Sequence, residues 1–396
     1  MKDLGLAGCL ATSEPIPVWP RESASRPVVL YLDRSGSMRG FLDPSYPTRE
    51  STDYRSVIDG LVVGLAPREA YGFGKALSTA SATLGVLGNR GFYSDNDTRL
   101  EDALALIARD SAHTMSHVVV GDGRRGSPDV ANGQFIRMRD LAARWAEGGG
   151  MFIAAASLAP FKAIKDDPAG CRDPGAEARP TCPLYAFAFV APGDETRLAA
   201  VLARVFQHLF TWPLPAAPPA DLALVVEQQP RQDITVERRW AQAGDGTPIV
   251  RVRGPAATNR PLGAQLAVRD TSTPAGRAAA AAMRGQQLRL GIVSRTLAAD
   301  AEGREWTPVQ GRGAHVRPVD GRPPGLEFIT RGKDAPRYIY RVELTPVGSP
   351  TWLEEFDAAD ARDAVRTFGL GKLFDGFRER ALDRPHPAGR IYIVAQ

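Results

Sequence analysis

Strand-like and helix-like segments alternate between residues 26 and 212, and this alternation limits the possible folds more than any other feature of the chain. Apolar runs such as VVLYLD, SHVVVGDG and GMFIAAAS have the length and composition of buried strands. Between such runs lie segments with apolar residues at helical spacing, for example LEDALALIARD, GQFIRMRDLAARWAEGG and DETRLAAVLARVFQHLF. The pattern predicts an α/β fold with a parallel sheet that is covered by helices on both faces.

The composition changes after residue 212. PLPAAPPAD, residues 213–221, is rich in proline and alanine, and we predict that it is a linker. Short alternating runs follow, among them ITVERRW, QLRLGIVSR and YIYRVELTPV, with turn residues between them. We therefore predict a second, β-rich and sandwich-like domain over residues 222–396. It would carry a helical insert, DAADARDAVRTFGLGKLFDGFRERAL. We expect the aromatic residues of this region in a core or an interdomain contact, with a partner groove as the alternative: Trp352, Phe356, Phe368, Phe374 and Phe377.

Residues 1–25 are polar and contain proline and serine, as flexible leaders do. Within them, LAGC at residues 6–9 resembles a bacterial lipobox, in which the cysteine is lipidated after signal cleavage. The apolar segment before it is too short for a signal peptide. Two interpretations remain open: a lipoprotein remnant in the cell envelope whose true start lies upstream, or a coincidental tail on a cytoplasmic protein. Because no run reaches 18 apolar residues, we expect membrane contact only through a Cys9 lipid anchor.

The chain has three cysteines, and two of them flank a polar loop, CRDPGAEARPTC. In one alternative Cys9 is lipidated and Cys171 pairs with Cys182 in an oxidising compartment. In the other, Cys171 and Cys182 are unpaired loop thiols in a cytosolic protein.

Oxygen-bearing side chains follow two of the predicted buried strands. Asp33 ends VVLYLD, and Ser35 and Ser37 come next on the loop. Asp122 follows the strand HVVVG in the same way, and Thr98 lies in a loop just before a predicted helix. Ligands of open α/β sheets bind at the carboxyl ends of the strands, so we expect these side chains to converge. An all-oxygen set suits Mg²⁺, Mn²⁺ or Ca²⁺ and not zinc or copper.

The three segments resemble the metal-ion-dependent adhesion site of von Willebrand factor type A (vWA) domains. DRSGSM has the form Asp-x-Ser-x-Ser, TRLEDAL opens with the expected threonine, and VVVGDG carries the expected aspartate. Gly121 departs from the pattern, because many relatives have Thr or Ser before that aspartate. The resemblance covers about residues 26–212 and implies a Rossmann-like, mostly parallel sheet. It also implies a bound Mg²⁺ or Mn²⁺ and a protein partner whose Asp or Glu completes the metal's coordination.

We therefore expect a metal-dependent protein-binding module and not an enzyme. One alternative is a metal-assisted phosphohydrolase that uses Asp33, although the strand-tip loops contain no His or Lys to act as a general base. Another is a structural subunit whose metal is capped internally, for example by an acidic residue of WLEEFDAAD. The net charge of +4 is small for 396 residues, so we expect no nucleic-acid partner.

Four arginines, Arg34, Arg39, Arg124 and Arg125, lie next to the motifs in sequence. They are open to two interpretations. Either they form a basic rim that attracts an acidic partner, or they are solvated surface residues.

Overall fold

Two sheets organise the chain in the computed structural model. The residues that the structure describes are 25–42, 53–123, 128–162, 181–212, 219–226, 235–243, 247–253, 262–296, 307–308, 316–319, 325–328, 338–358, 363, 366–383 and 387–395. The predicted leader, apart from residue 25, and most of the predicted linker lie outside these ranges. One sheet has seven strands and the other has ten.

The seven-stranded sheet is mixed. Its strands are β1 Val28–Asp33, β2 Glu69–Phe73, β3 Leu77–Ala80, β4 Ser116–Gly121, β5 Met151–Pro160, β6 Thr181–Val190 and β7 His208–Trp212, in the order β3-β2-β1-β4-β6-β5-β7. β1 is parallel to both β2 and β4. The other neighbouring pairs are antiparallel. The α/β class is confirmed, but the prediction of a mostly parallel sheet is corrected to a mixed one.

Three strands of this sheet run opposite to β1, namely β3, β6 and β7, and β6 lies between β4 and β5. β5 and β6 pair antiparallel along their whole length, from Met151 opposite Val190 to Pro160 opposite Thr181. Parallel neighbours need a long crossover that is usually a helix, whereas antiparallel neighbours can be joined by a loop. The sequence between these two strands includes CRDPGAEARPTC, which has no apolar helical periodicity. That absence of periodicity was the available signal for an antiparallel pair.

Helices cover both faces of this sheet, as predicted. The helices of the described residues are α1 Arg39–Leu42, α2 Tyr54–Leu65, α3 Leu84–Leu87, α4 Leu100–Arg109, α5 Pro128–Glu147, α6 Glu195–Val205, α7 Pro274–Gly285, α8 Leu353–Phe356 and α9 Gly371–Asp383, with 3-10 turns at Gly36–Met38 and Arg90–Phe92. α2 and α6 share one core with one face of the sheet. α4 and α5 share a second core with the opposite face. No helix among the described residues is both long enough and apolar enough to cross a membrane.

The helix predicted over DETRLAAVLARVFQHLF is shorter than expected. α6 ends at Val205, and Phe206 already has extended backbone angles (φ −112°, ψ 148°). The next residues, HLFTW, form β7, which pairs antiparallel with β5. Aromatic and β-branched residues fit a half-buried sheet edge, and this preference outweighs the helical spacing of the sequence.

The second sheet is β-rich, as predicted, and it is curled. Its sandwich-like character remains a prediction. Its strands are β8 Ala220–Val226, β9 Thr235–Gln242, β10 Pro248–Arg253, β11 Leu262–Val268, β12 Gln286–Thr296, β13 Thr307–Pro308, β14 Val316–Val319, β15 Gly325–Phe328, β16 Tyr338–Pro350 and β19 Gly389–Ala395. β19 pairs with β16, β8 and β10, so the sheet branches at this strand.

The C-terminal helical insert packs on the first sheet. The two short strands β17 Asp357–Ala358 and β18 Thr367–Phe368 pair with each other between α8 and α9. The ring of Phe374 lies 5.1 Å from that of Phe210, and the ring of Phe377 lies 5.6 Å from that of Phe152. The insert therefore belongs to the same hydrophobic core as β5, β7 and α5. The limits predicted for the two domains and their linker remain predictions.

Cys182 is fully buried at the start of β6 and is disulfide-bonded. Cys9 and Cys171 lie outside the described residues. The bonded state of Cys182 agrees with the oxidised alternative, while the pairing with Cys171 and the lipidation of Cys9 remain predictions.

Candidate metal centre

The candidate site lies where β1 and β4 end side by side. Leu32 is in register with Val120, so Asp33 and Asp122 leave the sheet at the same edge. Both aspartates are 0% exposed. The parallel pairing of β1 and β4 therefore places two carboxylates together at the position that the sequence predicted.

Four of the five predicted ligands are joined by hydrogen bonds. The N–H of Ser35 donates to Oδ1 of Asp33 (2.8 Å), a turn that aspartate forms readily with the backbone two residues on. The hydroxyls of Ser35 and Ser37 are hydrogen-bonded to each other at 2.9 Å. The Ser37 hydroxyl donates to Oδ2 of Asp122 (2.6 Å). The Asp-x-Ser-x-Ser segment thus connects one carboxylate to the other through the backbone N–H of Ser35 and the hydroxyls of Ser35 and Ser37.

Thr98, the fifth predicted ligand, lies on a loop that is bonded to the Asp33 loop. The N–H of Gly36 donates to the carbonyl of Asp95 (2.7 Å), and the N–H of Asp95 donates to the carbonyl of Arg34 (3.1 Å). Thr98 is half-buried, and its own N–H donates to Oδ1 of Asp97 (2.8 Å). Among the described contacts, none joins the Thr98 hydroxyl to the other four residues. Its role as a ligand remains a prediction.

Gly121 leaves room for the Asp33 carboxylate. A Cβ atom at residue 121 would lie 3.1 Å from Cβ and 3.2 Å from Oδ2 of Asp33. Both distances are tighter than ordinary van der Waals contact. The glycine that departs from the vWA pattern therefore has a steric reason in this chain, because a larger side chain would push against Asp33.

Two residues that the sequence did not single out enclose the backbone next to Asp122. Gly123 has φ +68°, and a Cβ there would lie 2.8 Å from Cε2 of Tyr185 and 3.1 Å from Cγ2 of Thr367. The Tyr185 hydroxyl donates to Oγ1 of Thr367 (2.8 Å). Thr367 is distant in sequence and reaches the site only because the C-terminal insert packs on the first sheet. No local motif signals such a contact.

Two buried tyrosines, Tyr54 and Tyr93, lie close enough to Asp33 for its charge to affect their pKa values. The hydroxyls of Tyr54 and Tyr93 are 2.9 Å apart, and Tyr93 donates to the carbonyl of Leu87 (2.6 Å). Burial raises the pKa of both phenols, and the negative charge of Asp33 raises each pKa further. These phenols therefore stay neutral, and their protons are used in the hydrogen bonds from Tyr54 to Tyr93 and from Tyr93 to Leu87.

Arg34 and Arg39, the two arginines next to Asp33 in sequence, bind neighbouring segments by hydrogen bonds. Arg34 donates from Nε to the carbonyl of Phe92 (3.0 Å) and from Nη1 to Oγ of Ser78 (2.6 Å). Arg39 donates from Nε to the carbonyl of Tyr93. Both residues are half-buried. Whether they also form a basic rim for a partner remains a prediction. The other two arginines of the predicted rim, residues 124 and 125, lie outside the described residues.

Asp357, a half-buried carboxylate of the acidic run WLEEFDAAD, has a local structural role. Glu354 and Glu355 are exposed. Asp357 accepts hydrogen bonds from the backbone N–H groups of Leu370 and Gly371, at the start of α9. Burial is the main cause that raises the pKa of Asp357. Negative side chains at a helix N-terminus satisfy its free N–H groups.

The donor set fits a hard divalent cation. Two carboxylates balance the charge of Mg²⁺ or Mn²⁺, and neutral hydroxyls add oxygen ligands without further charge. Within the described ranges, no group of three or more His, Cys, Asp or Glu side chains gathers as a metal centre. A cation site here therefore depends on the serine hydroxyls as well as on the two aspartates.

The fold and the site together define an α/β protein with a candidate oxygen-ligand cation site at the ends of two parallel strands. No family model, curated protein or solved structure matches the chain.

Proposed function

We propose that the chain is a metal-dependent protein-binding module of the vWA type. Asp33, Ser35, Ser37, Thr98 and Asp122 would hold one Mg²⁺ or Mn²⁺. An Asp or Glu of a partner protein would complete the coordination. The observation that supports this proposal is the chain of hydrogen bonds that links the two buried aspartates through the two serines.

The ligand set favours binding over catalysis. The hydroxyl ligands add no negative charge to that of the two aspartates, so the cation can still accept a carboxylate oxygen from another molecule. A phosphohydrolase would also need a general base within hydrogen-bond reach of the reacting atoms. The histidine of β4, His117, lies at the opposite end of that strand from Asp122, and it bonds to Tyr31 and Asp110. His117 therefore lies too far along the strand, and is already hydrogen-bonded elsewhere, to serve as a general base at the candidate site.

Internal capping of the metal is the second candidate, because the C-terminal insert lies beside the site through Thr367. Its half-buried carboxylate, Asp357, is already hydrogen-bonded to backbone amides at the start of α9. The exposed Glu354 and Glu355 have no described contact with the five proposed ligands. This placement favours a partner carboxylate over an internal one.

The proposal is tested by capture of partners on the immobilised full chain. Native lysate is passed over the unaltered protein, Asp33→Ala and the matched control Asp140→Asn, each with Mg²⁺ or with EDTA. Asp140 is an exposed carboxylate of α5 that pairs with Arg139, away from the site. We expect a partner to be retained with Mg²⁺ by the unaltered chain and the control, and to be lost with EDTA or with Asp33→Ala. The same proteins in every lane would contradict the proposal.

The same experiment separates partner binding from internal capping. If Asp357 blocked the metal, Asp357→Asn would increase the amount of partner captured in Mg²⁺. We expect no increase, because the described hydrogen bonds of Asp357 go to the start of α9.

A further inference from the structure

The backbone that follows Asp122 is held from two distant parts of the chain. Gly123 lies against the ring of Tyr185 from β6 and against the methyl group of Thr367 from β18. Its positive φ is compatible with glycine alone at low cost. The direction in which the chain leaves Asp122 is therefore fixed by Gly123 and by what packs on it.

Tyr185 connects the end of β4 to the C-terminal insert. It is in register with Gly121, so its backbone lies beside the residue that precedes Asp122. Its hydroxyl donates to Thr367 at 2.8 Å. Tyr185 is 0% exposed and Thr367 is 3% exposed. A hydrogen bond that is buried to this degree competes little with water, and the loss of one partner leaves the other unsatisfied.

Thr367 in turn is anchored within the insert. It pairs with Asp357 in the β17–β18 ladder. Asp357 is bonded to the first residues of α9, and the ring of Phe356 meets the ring of Tyr185 at 5.9 Å, edge to face. Thr367, whose hydroxyl accepts the hydrogen bond from Tyr185, thus belongs to a packed part of the core.

We propose that Tyr185 and Thr367 are positioning residues for Asp122, and that the affinity of the site for a divalent cation depends on their hydrogen bond. The inference rests on the proposed function. The bond holds the Tyr185 ring against Gly123, and Gly123 fixes the path of the backbone from which the Asp122 carboxylate meets Ser37. Groups that orient metal ligands in this way typically change metal affinity when they are removed.

The test is calorimetric titration of the full chain with Mn²⁺ alone. Tyr185→Phe and Thr367→Val each remove one hydroxyl with little change of volume, and Thr367→Ser is the matched control that keeps it. We expect Tyr185→Phe and Thr367→Val to weaken Mn²⁺ binding about 10-fold, and Thr367→Ser to bind as the unaltered chain does. Because both hydroxyls act through one bond, the double variant should bind no more weakly than either single variant.

A purely structural role has a different signature. It would lower the urea midpoint of the chain in EDTA and leave the Mn²⁺ dissociation constant of the folded variants unchanged. That result, or additive losses in the double variant, would overturn the inference and leave the proposed function standing. If the unaltered chain takes up no Mn²⁺, the proposed function and this inference fall together.

Discussion

Asp122 has a glycine on each side, and the two glycines meet different needs. Gly121 gives space to the Asp33 carboxylate, whereas Gly123 provides a positive φ beneath the ring of Tyr185. The sequence predicted the aspartates because Asp-x-Ser-x-Ser and Asp-Gly are local patterns at strand ends. It did not predict Tyr185 or Thr367, because their contact depends on tertiary packing between segments 182 residues apart.

Gly123→Ala tests, at the residue scale, whether the backbone after Asp122 needs a glycine. We expect a loss of about 1–3 kcal/mol in the free energy of unfolding, because a Cβ at positive φ is strained and here also meets Tyr185. Gly133→Ala in helix α5 is the control, since its Cβ would meet no atom within 4 Å. The control should gain roughly 0.5–1 kcal/mol from helix propensity. Urea unfolding measures both changes, and equal effects would contradict the account.

We expect His117 to make the free energy of unfolding depend on pH. It is 1% exposed, with Nδ1 3.1 Å from the Tyr31 hydroxyl and Nε2 3.3 Å from Oδ2 of Asp110. Burial lowers the pKa of His117, opposed by the charges of Asp110 and Glu69 and reinforced by His113. A lowered folded-state pKa means that the folded protein favours the neutral ring. Its stabilisation is therefore complete above the unfolded pKa of about 6.5 and is lost as the pH falls below it.

The expected result is a free energy of unfolding that decreases between pH 7.5 and pH 5.5 for the unaltered chain. His117→Gln should flatten this slope, because the buried ring of His117 is no longer present to be protonated. His208 also has a pKa lowered by burial, so His208→Gln is the matched comparison. We expect it to flatten the slope less, since His208 is less buried than His117. An unchanged slope in His117→Gln would contradict this assignment.

At the scale of elements, the sequence predicted which segments form strands and helices better than how the strands pair. VVLYLD, SHVVVG and the two later runs became β1, β4, β5 and β6 because continuous apolar runs are buried wherever they lie. Pairing depends on the connections, and the β5–β6 connection is a loop sequence that favours antiparallel neighbours. The boundary between α6 and β7 was missed because HLFTW continues the apolar spacing of the helix although its aromatic residues fit a strand.

Phe377 of α9 tests whether the insert carries core stability. Its ring is fully buried and lies 5.6 Å from Phe152, 5.9 Å from Phe210 and 5.5 Å from Trp212. Phe377→Ala should lower the free energy of unfolding by about 3–5 kcal/mol. Val63→Ala, on a side chain that is 74% exposed, should change it by less than about 0.5 kcal/mol. A small effect of Phe377→Ala in urea unfolding would show that α9 does not belong to this core.

At the scale of the whole molecule, the second half of the chain contributes to the hydrophobic core on one face of the first sheet. The aromatic residues of the insert were predicted to lie in a core or an interdomain contact, and their packing on β5 and β7 agrees with that prediction. The sequence did not predict that these aromatic residues pack on the first sheet. Apolar spacing shows that a face is buried, but it does not show which element covers that face. The candidate cation site therefore lies in a region to which both halves contribute.

A fragment of residues 26–212 should consequently not behave as an independent domain. Without the insert, the rings of Phe152, Phe210 and Tyr185 lose their buried contacts with Phe356 and Phe377. We expect the fragment to have a lower urea midpoint than the full chain and a weakened near-ultraviolet circular dichroism signal. A fragment that matches the full chain in both measurements would contradict this account.

The central claim is that oxygen atoms from the ends of two parallel strands share one cation. The most direct measurement is an anomalous difference map from crystals of the full chain grown with Mn²⁺. We predict one strong peak with oxygens of Asp33, Ser35, Ser37 and Asp122 in its first or water-bridged coordination sphere, and with Thr98 close enough to join them. Direct ligand distances should be about 2.1 Å, as for Mg²⁺. Absence of a peak at this edge of the sheet, in crystals that contain Mn²⁺, would contradict the claim.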